Sequence, residues 1–302
     1  MATVSWNTIE AENVYKLTGK YPAINCFDFI HIQYSPANWI DYSDITPVAD
    51  WANNGGIVSL MWHFNVPVKE GSDQYTYSSK ETTFSASNVF TDNTWENTYF
   101  YEQIDKVSAV LLQLQDAGIP AIWRPFHEGA GNYYAGGDAW FWWGYEGPEI
   151  YVKLWKLMFE YFNQKGIHNL IWVWTTENNG DGAYYPGDDY VDIVGRDLYG
   201  KNATESYSQW NTVNTDYQQK MVALSECGNK VNGRTIISSQ AIIPEQWSKG
   251  CQWLYFMPWY DYDYDTGNAN TNVICSDYFW TSAMTRNYVL KRNDVAYLNL
   301  HN

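Results

Sequence analysis

Eight short apolar runs recur along the chain, at 2–6, 21–30, 57–64, 119–127, 170–174, 191–198, 221–226 and 253–258. They constrain the fold more than any other feature. Several, such as Ile57–Phe64 (IVSLMWHF) and Leu170–Trp174 (LIWVW), are apolar almost without interruption. A half-exposed strand alternates apolar and polar residues. A continuous apolar run of strand length implies burial on both faces, as in a parallel sheet covered by helices. The segments between runs carry helical signals. Phe100, Ile104, Val107, Leu111 and Leu114 fall on one face of a helix over about 95–117, which Gly118 ends. Thr46-Pro47 gives an N-cap and a proline at the first helical position, for a helix that stops near Gly55-Gly56. Gly147-Pro148 starts another helix to about Lys165, with Ile150, Leu154, Leu157 and Tyr161 as its stripe. Helical patterns between the last strands are weaker. With no linker, repeat or low-complexity tract, the expectation is one α/β domain over 1–302, a single (β/α)8 TIM barrel. The run at 2–6 is abrupt and reads as the tail of a truncated first strand.

In such a barrel the chemistry lies at the C-terminal ends of the strands. Polar and aromatic residues recur there: Trp62-His63, His127-Glu128, Trp174, Asp197 with Tyr199, Glu226, and Trp259. The richest stretch is 123–144, WRPFHEGAGNYYAGGDAWFWWG. It leaves a strand, presents His127 and Glu128, opens into a glycine-rich loop and closes on an aromatic block. A carboxyl moves a proton, and flat rings hold the apolar faces of sugars. Composition agrees. Aromatics make up 18% of the residues, including 17 Trp and 26 Tyr, more than a core is expected to need and suited to a recognition surface. The net charge of −16 argues against nucleic acid and anionic membranes and fits a neutral partner.

Four cysteines in 302 residues are no disulfide framework. Cys26 and Cys227 read as buried thiols, and the pairing of Cys251 with Cys275 stays open. No run is long and apolar enough to span a membrane. No signal peptide is readable after Met1, and the sequence reads as a mature chain whose leader has been removed; a secreted, periplasmic or cell-surface location is a separate expectation. The polar stretch 65–94 is long for a loop and reads as functional or as a lid.

Glu128 and Glu226 both end buried apolar runs, so neither reads as an ordinary surface charge. Two carboxyls across a barrel mouth can split a glycosidic bond, one as acid and one as nucleophile or base. Separations of ~5–5.5 Å give retention and ~6.5–9.5 Å inversion. The sequence does not supply the distance.

These motifs together resemble those of glycoside hydrolase family 26 β-mannanases: Trp62-His63, Arg124-Pro-Phe-His127-Glu128, Trp140-Phe-Trp-Trp-Gly144, Asp197-Leu-Tyr199, Ser225-Glu226 and Trp259. The resemblance spans nearly the whole chain. It implies an acid/base at the end of the fourth strand, Glu128, and a nucleophile at the end of the seventh, Glu226. His127 stands where much of the clan has Asn, and would orient the nucleophile or a sugar hydroxyl. Tyr199 would hydrogen-bond Glu226 and help keep it ionised. Trp259 would lie under the sugar being cleaved, Trp140 on the leaving-group side, and His63 on the non-reducing side. The chain departs from many members in the eleven residues that separate Glu128 from Trp140, and in its short first strand.

The implied activity is a retaining endo-β-1,4-mannanase acting on β-mannan or manno-oligosaccharides, a monomer with no cofactor and no metal. A mixed-linkage β-glucanase or β-xylanase of the same family, and a non-catalytic glycan-binding barrel, are the alternatives. Arg124 is expected to support the site, and Trp142, Trp143, Trp155 and Trp172 to be core. Asp261, Asp263, Asp265 and Gly267 imitate the start of a calcium loop, but Asn272 stands where its glutamate should be, so an acidic rim loop is expected. Glu177, Asn178 and Asn179 read as rim residues.

Overall fold

The strands expected between residues 21 and 258 all form in the computed structural model, which describes residues 6–177, 180–260 and 274–299. They are β1 (Ile24–Asp28), β2 (Ile57–Trp62), β3 (Ala121–Pro125), β4 (Leu170–Thr176), β5 (Ile193–Tyr199), β6 (Met221–Gly228) and β7 (Phe256–Pro258). These are the second to eighth runs of the sequence. The first run, 2–6, lies outside the described residues except for Trp6, which is buried in a bend. Helices fill most of the intervals: α1 (Ile9–Thr18), α2 (Thr46–Asn53), α3 (Trp95–Asp116), α4 (Pro148–Gln164), α5 (Ala203–Asp216), α6 (Ile243–Lys249), α7 (Asp277–Met284) and α8 (Arg292–Asn299). Burial follows the reading of the apolar runs. All of β3, Val58–Trp62 of β2 and Val222–Gly228 of β6 are buried without alternation. Both faces of these strands are covered, so only their ends can carry solvent-facing chemistry.

Packing divides the chain into two compact units. One, here the Glu128 unit, holds residues 26–49 and 59–192; the other, the Glu226 unit, holds 1–25, 50–58 and 193–302. In the Glu128 unit β1, β2, β3 and β4 are neighbours in that order. β3 runs parallel to β4, with Trp123 opposite Trp172. Helix α3 buries all five residues of its expected face. Helix α4 does not. Its buried stripe is Tyr151, Leu154, Trp155, Met158 and Phe162, while Ile150, Leu157 and Tyr161 are only half-buried. The larger rings take the core, which rotates the helix from the expected face. Tryptophan also corrects the compositional reading. Trp62, Trp123, Trp142, Trp143, Trp155 and Trp174 are among the largest fully buried side chains, so much of the aromatic excess is core.

In the Glu226 unit β5, β6 and β7 are parallel neighbours. Leu198, Leu224, Cys227, Ile243, Ile274 and Phe279 belong to one apolar cluster there. Helix α5, weakly patterned in sequence, starts at a capping box: Asn202 accepts from the Thr204 and Glu205 backbones while Glu205 accepts from the Asn202 N–H. A hairpin of Lys230–Asn232 with Thr235–Ser238, turning at Gly233 (φ 55°), had no expectation. All four cysteines are free thiols, and Cys275 shares the cluster of Cys227 rather than pairing with Cys251. Among the described residues no helix is long and apolar enough to cross a membrane.

Helix α3 backs the Glu128 unit and is fixed at its start by Thr94, whose hydroxyl accepts from Asn97 N–H (3.1 Å) and donates to Asn88 O (2.8 Å). Thr94→Ala is expected to cost about 1 kcal/mol, and Thr94→Ser to recover most of it. Urea denaturation checks this; an unchanged midpoint in the alanine variant would show that the cap contributes nothing.

Candidate active site

The chain leaves β3 through an unusual turn. Phe126 (φ 45°) and Glu128 (φ 52°) both occupy the left-handed region without being glycine, a conformation that persists only when its surroundings hold it. Buried ring donors do so. The Tyr151 hydroxyl donates to Phe126 O (2.8 Å), and the Trp143 indole N–H to His127 O (2.9 Å). Trp142 ties the same aromatic block to Phe64 O (2.6 Å), beyond the end of β2. The backbones at 129 and 144 touch: a Cβ on Gly144 would sit 1.6 Å from Gly129 O, and one on Gly129 would enter the Tyr151 ring. Glycine is required at both positions by this close approach.

Glu128 emerges half-buried from that turn, and the Trp140 indole N–H donates to its Oε2 at 2.9 Å. The eleven intervening residues do not separate them. They fold back on themselves through Gly131 N–H to Glu128 O, Gly137 N–H to Asn132 O and Asn132 N–H to Asp138 O. Residues 77–79 then clamp the returning strand, with Ser79 N–H on Trp140 O and the Ser79 hydroxyl on Ala139 O. The long interval therefore brings its far end back to the carboxyl.

His63 and His127 meet beneath, with ring centroids 4.6 Å apart and nearly perpendicular. His63 is held by both oxygens of Asp28, at the end of β1: Oδ1 accepts its backbone N–H (3.1 Å) and Oδ2 lies 2.5 Å from Nδ1. His127 is almost fully buried. Desolvation, then the charge of Arg124, then His63 push its pKa well below 6.5, so it is a neutral imidazole. Arg124 donates through Nε to Thr175 Oγ1 on β4 (2.8 Å), the supporting place expected for it. Tyr77 adds a ring 5.2 Å from His63, and burial first, then Asp28 and Glu81, raise its phenol pKa.

The Glu226 unit carries the second carboxyl. Glu226 is buried near the end of β6, beside Asp197 of β5, where the register of the two strands shifts between Arg196 and Asp197. That irregularity aligns Tyr199 so that its hydroxyl donates to Glu226 Oε2 at 2.7 Å. Asp197 accepts the Ser225 hydroxyl (2.6 Å), which fixes the residue before Glu226. Trp259 follows β7, and its backbone N–H donates to Cys227 O (2.9 Å). Its ring is half-buried against the Cys227 cluster, next to Tyr260.

Within the Glu128 unit, then, His63, His127, Glu128 and Trp140 come together; within the Glu226 unit, Tyr199, Glu226 and Trp259 do. Asp28 and Tyr77 were not anticipated. Asp28 ends β1 but lies inside the apolar run 21–30, between Phe27 and Phe29, so the run did not mark it as a strand end. Tyr77 lies in the polar stretch 65–94, where nothing distinguishes it. Asn178, Asn179 and the Asp261, Asp263, Asp265, Gly267 and Asn272 loop lie outside the described residues.

A family profile described as Glycosyl hydrolase family 26 matches residues 1–287. Mannan endo-1,4-beta-mannosidase A of Piromyces sp is 34% identical over 280 residues, covering 90% of this chain and 40% of that protein. A mannan endo-1,4-beta-mannosidase of Thermothelomyces thermophilus is 32% identical over 288 residues, 90% of this chain and 55% of its own length. The chain thus spans about half the length, or less, of these relatives. The crystal structure of the GH26 domain of an endo-beta-mannanase/endo-beta-glucanase from Prevotella bryantii matches at 48% identity and TM-score 0.87, over 98% of this chain and 90% of that one. A beta-mannanase from a symbiotic protist of the termite Reticulitermes speratus, complexed with gluco-manno-oligosaccharide, matches at 30% identity and TM-score 0.74, over 95% and 84%. The match to the Prevotella bryantii family 26 domain shows the (β/α)8 barrel fold of α/β class expected from the apolar runs, of which the described residues supply seven strands in one sheet.

The neutrality of His127 has a measurable consequence. Its folded pKa lies below 6.5, so below that pH the unfolded chain binds a proton that the native chain refuses. Its contribution to stability is full above about 6.5 and declines as pH falls toward the folded value. In NMR the His127 ring is expected to show no titration between pH 7.5 and pH 6. A midpoint near 6.5 would contradict the buried, neutral assignment.

Proposed function

The chain belongs to glycosyl hydrolase family 26, and from that premise we propose that it is a retaining endo-β-1,4-mannanase that cleaves mannan-type polysaccharide by double displacement. The observation that carries the reading is the pair of strand-end glutamates, each gripped by an aromatic hydrogen-bond donor: Glu128 by Trp140 and Glu226 by Tyr199. The mannan endo-1,4-beta-mannosidases among the relatives support the choice of sugar. A polymer of that size is met outside the cell, so a secreted or surface-bound monomer is part of the proposal.

The roles follow from the chemistry. Glu226 attacks the anomeric carbon, and the bond to the leaving oxygen breaks as Glu128 hands that oxygen its proton. The product is a glycosyl ester of Glu226. Glu128, now a carboxylate, takes a proton from water; the water oxygen attacks the same carbon and the ester bond breaks. Two inversions restore the starting configuration. The Tyr199 phenol fixes Oε2 of Glu226 and so limits rotation of the attacking carboxylate, since near-attack geometry is worth more than proximity alone. The Trp140 indole does the same for Glu128. His127, being neutral, sets no full charge beside the group that must exchange a proton. His63 is proposed to touch the sugar on the non-reducing side, Trp140 the leaving group, and the Trp259 ring to underlie the sugar that reacts.

The test uses an aryl β-mannobioside whose leaving group needs no proton. Glu226→Ala is expected to lose glycosyl-enzyme formation and turnover. Glu128→Ala is expected to accumulate the ester, because no base activates water. Azide needs no base, so it should restore turnover to Glu128→Ala and give a β-configured glycosyl azide by NMR. An α azide from Glu128→Ala would exchange the two roles. Cleavage of β-glucan or xylan in place of mannan would reassign the substrate, and full activity on mannan in both variants would move the site elsewhere.

A further inference from the structure

Asp28 lies against His63, and the reaction as written gives it no part. It closes β1, and its carboxylate takes two donors of one residue: Oδ1 accepts the His63 backbone N–H (3.1 Å) and Oδ2 lies 2.5 Å from Nδ1 of the ring. Backbone and side chain of His63 are thus tied to the same group. Asp28 is itself held. The fully buried Tyr42 donates its hydroxyl to Asp28 O (2.8 Å) and accepts His31 N–H (3.2 Å). Phe29 N–H donates to Met61 O (2.9 Å), which fastens the end of β1 to β2.

This contact decides where the ring carries its proton. A carboxylate can only accept, so Nδ1 of His63 holds the hydrogen. In a neutral imidazole the bond made by one ring nitrogen sets the role of the other, and Nε2 is left with a lone pair. Neighbouring rings restrain any turn that would exchange the two nitrogens. His127 lies across the His63 ring at 4.6 Å and 78°, Phe141 at 6.1 Å and 79°, and Tyr77 at 5.2 Å and 52°. The His63 and Asp28 side chains are only 9% and 15% exposed, so little water competes for the pair.

We propose that Asp28 is a positioning residue: it fixes His63 as the Nδ1–H tautomer, so that Nε2 accepts a hydrogen bond from a sugar hydroxyl. The proposal rests on the mannanase reading and on the place of His63 in it. An uncharged sugar offers hydroxyls and ether oxygens. A hydroxyl can donate to a ring lone pair, and an ether oxygen cannot. The opposite tautomer would present an N–H at the same place, which either kind of oxygen could accept. Asp28 thereby decides which kind of sugar atom His63 recognises, and it does so through His63 alone.

The test is Asp28→Asn, which keeps the shape of the side chain. The His63 backbone N–H can only donate, whereas the ring can change tautomer. The amide oxygen is therefore expected to keep the backbone N–H, while the amide NH2 faces Nδ1 and moves the ring proton to Nε2; such a change beside a histidine can leave the geometry intact and select the wrong tautomer. Nitrogen NMR of the histidine rings, at about pH 8 and without substrate, is expected to show Nδ1–H in the wild type and Nε2–H in Asp28→Asn. An Nε2–H or doubly protonated His63 in the wild type overturns the proposal, and so does an Nδ1–H ring in the variant. Kinetics test the link to the sugar. Asp28→Asn is expected to lower kcat/KM on mannohexaose roughly tenfold, equivalent to about 1.4 kcal/mol, and to cost nothing further in a His63→Ala background. An unchanged kcat/KM, or an equal loss in both backgrounds, overturns the positioning role. A wild type that cleaves another β-glycan but not mannohexaose overturns the mannanase reading, while the tautomer, read without substrate, still decides what Asp28 does.

Discussion

The turn from Phe126 to Glu128 is the constraint on which the Glu128 unit depends. Two non-glycine residues with positive φ cost roughly 1–3 kcal/mol each. What offsets that cost is a set of buried donors, the Tyr151 phenol on Phe126 O and the Trp143 indole on His127 O. Trp143 comes from the aromatic block after the loop and Tyr151 from α4, so the turn at Glu128 is held by the segments that follow it. The strain and the hydrogen bonds are two sides of one arrangement, in which β3 stays buried to its last residue and Glu128 still turns outward.

The same donors change the meaning of the tryptophan content. An indole brings a large apolar body and one N–H, and a buried N–H usually finds an acceptor. Trp51 on Ile57 O, Trp142 on Phe64 O, Trp143 on His127 O and Trp155 on Tyr190 O use it to hold irregular backbone next to strands. Loop-fastening accounts for these four indoles, whereas the buried Nε1 atoms of Trp62 and Trp123 have no hydrogen-bond partner among the described residues and those rings serve packing alone. Composition reports only the sum, so the sequence reading assigned too much of it to recognition.

Strands and the two glutamates were legible because burial on both faces writes itself as uninterrupted apolar runs, and a charged residue at the end of such a run stands out. The fold class followed from the number of runs, and the comparison with solved barrels agrees. The α4 stripe was misjudged because periodicity weighs Ile150 and Leu157 like Tyr151 and Trp155, whereas packing favours the larger rings. Asp28 was missed because Phe29 and Ile30 carry the apolar run past it in sequence, although β1 ends there, and only its contact with His63 marks it. Tyr77 was invisible, because its place depends on hydrogen bonds between loops and leaves no period in the sequence.

Gly129 and Gly144 lie backbone against backbone, at either end of the segment that holds Trp140. That contact works like a clasp at the neck of a bag. Whatever is gained or lost between the two glycines hangs from a closed neck, and the segment leading into Glu128 does not feel its length. A change of length between the two glycines therefore leaves the turn at Glu128 in place, whereas a single methyl group on either glycine meets the Tyr151 ring or the Gly129 carbonyl and opens the neck itself.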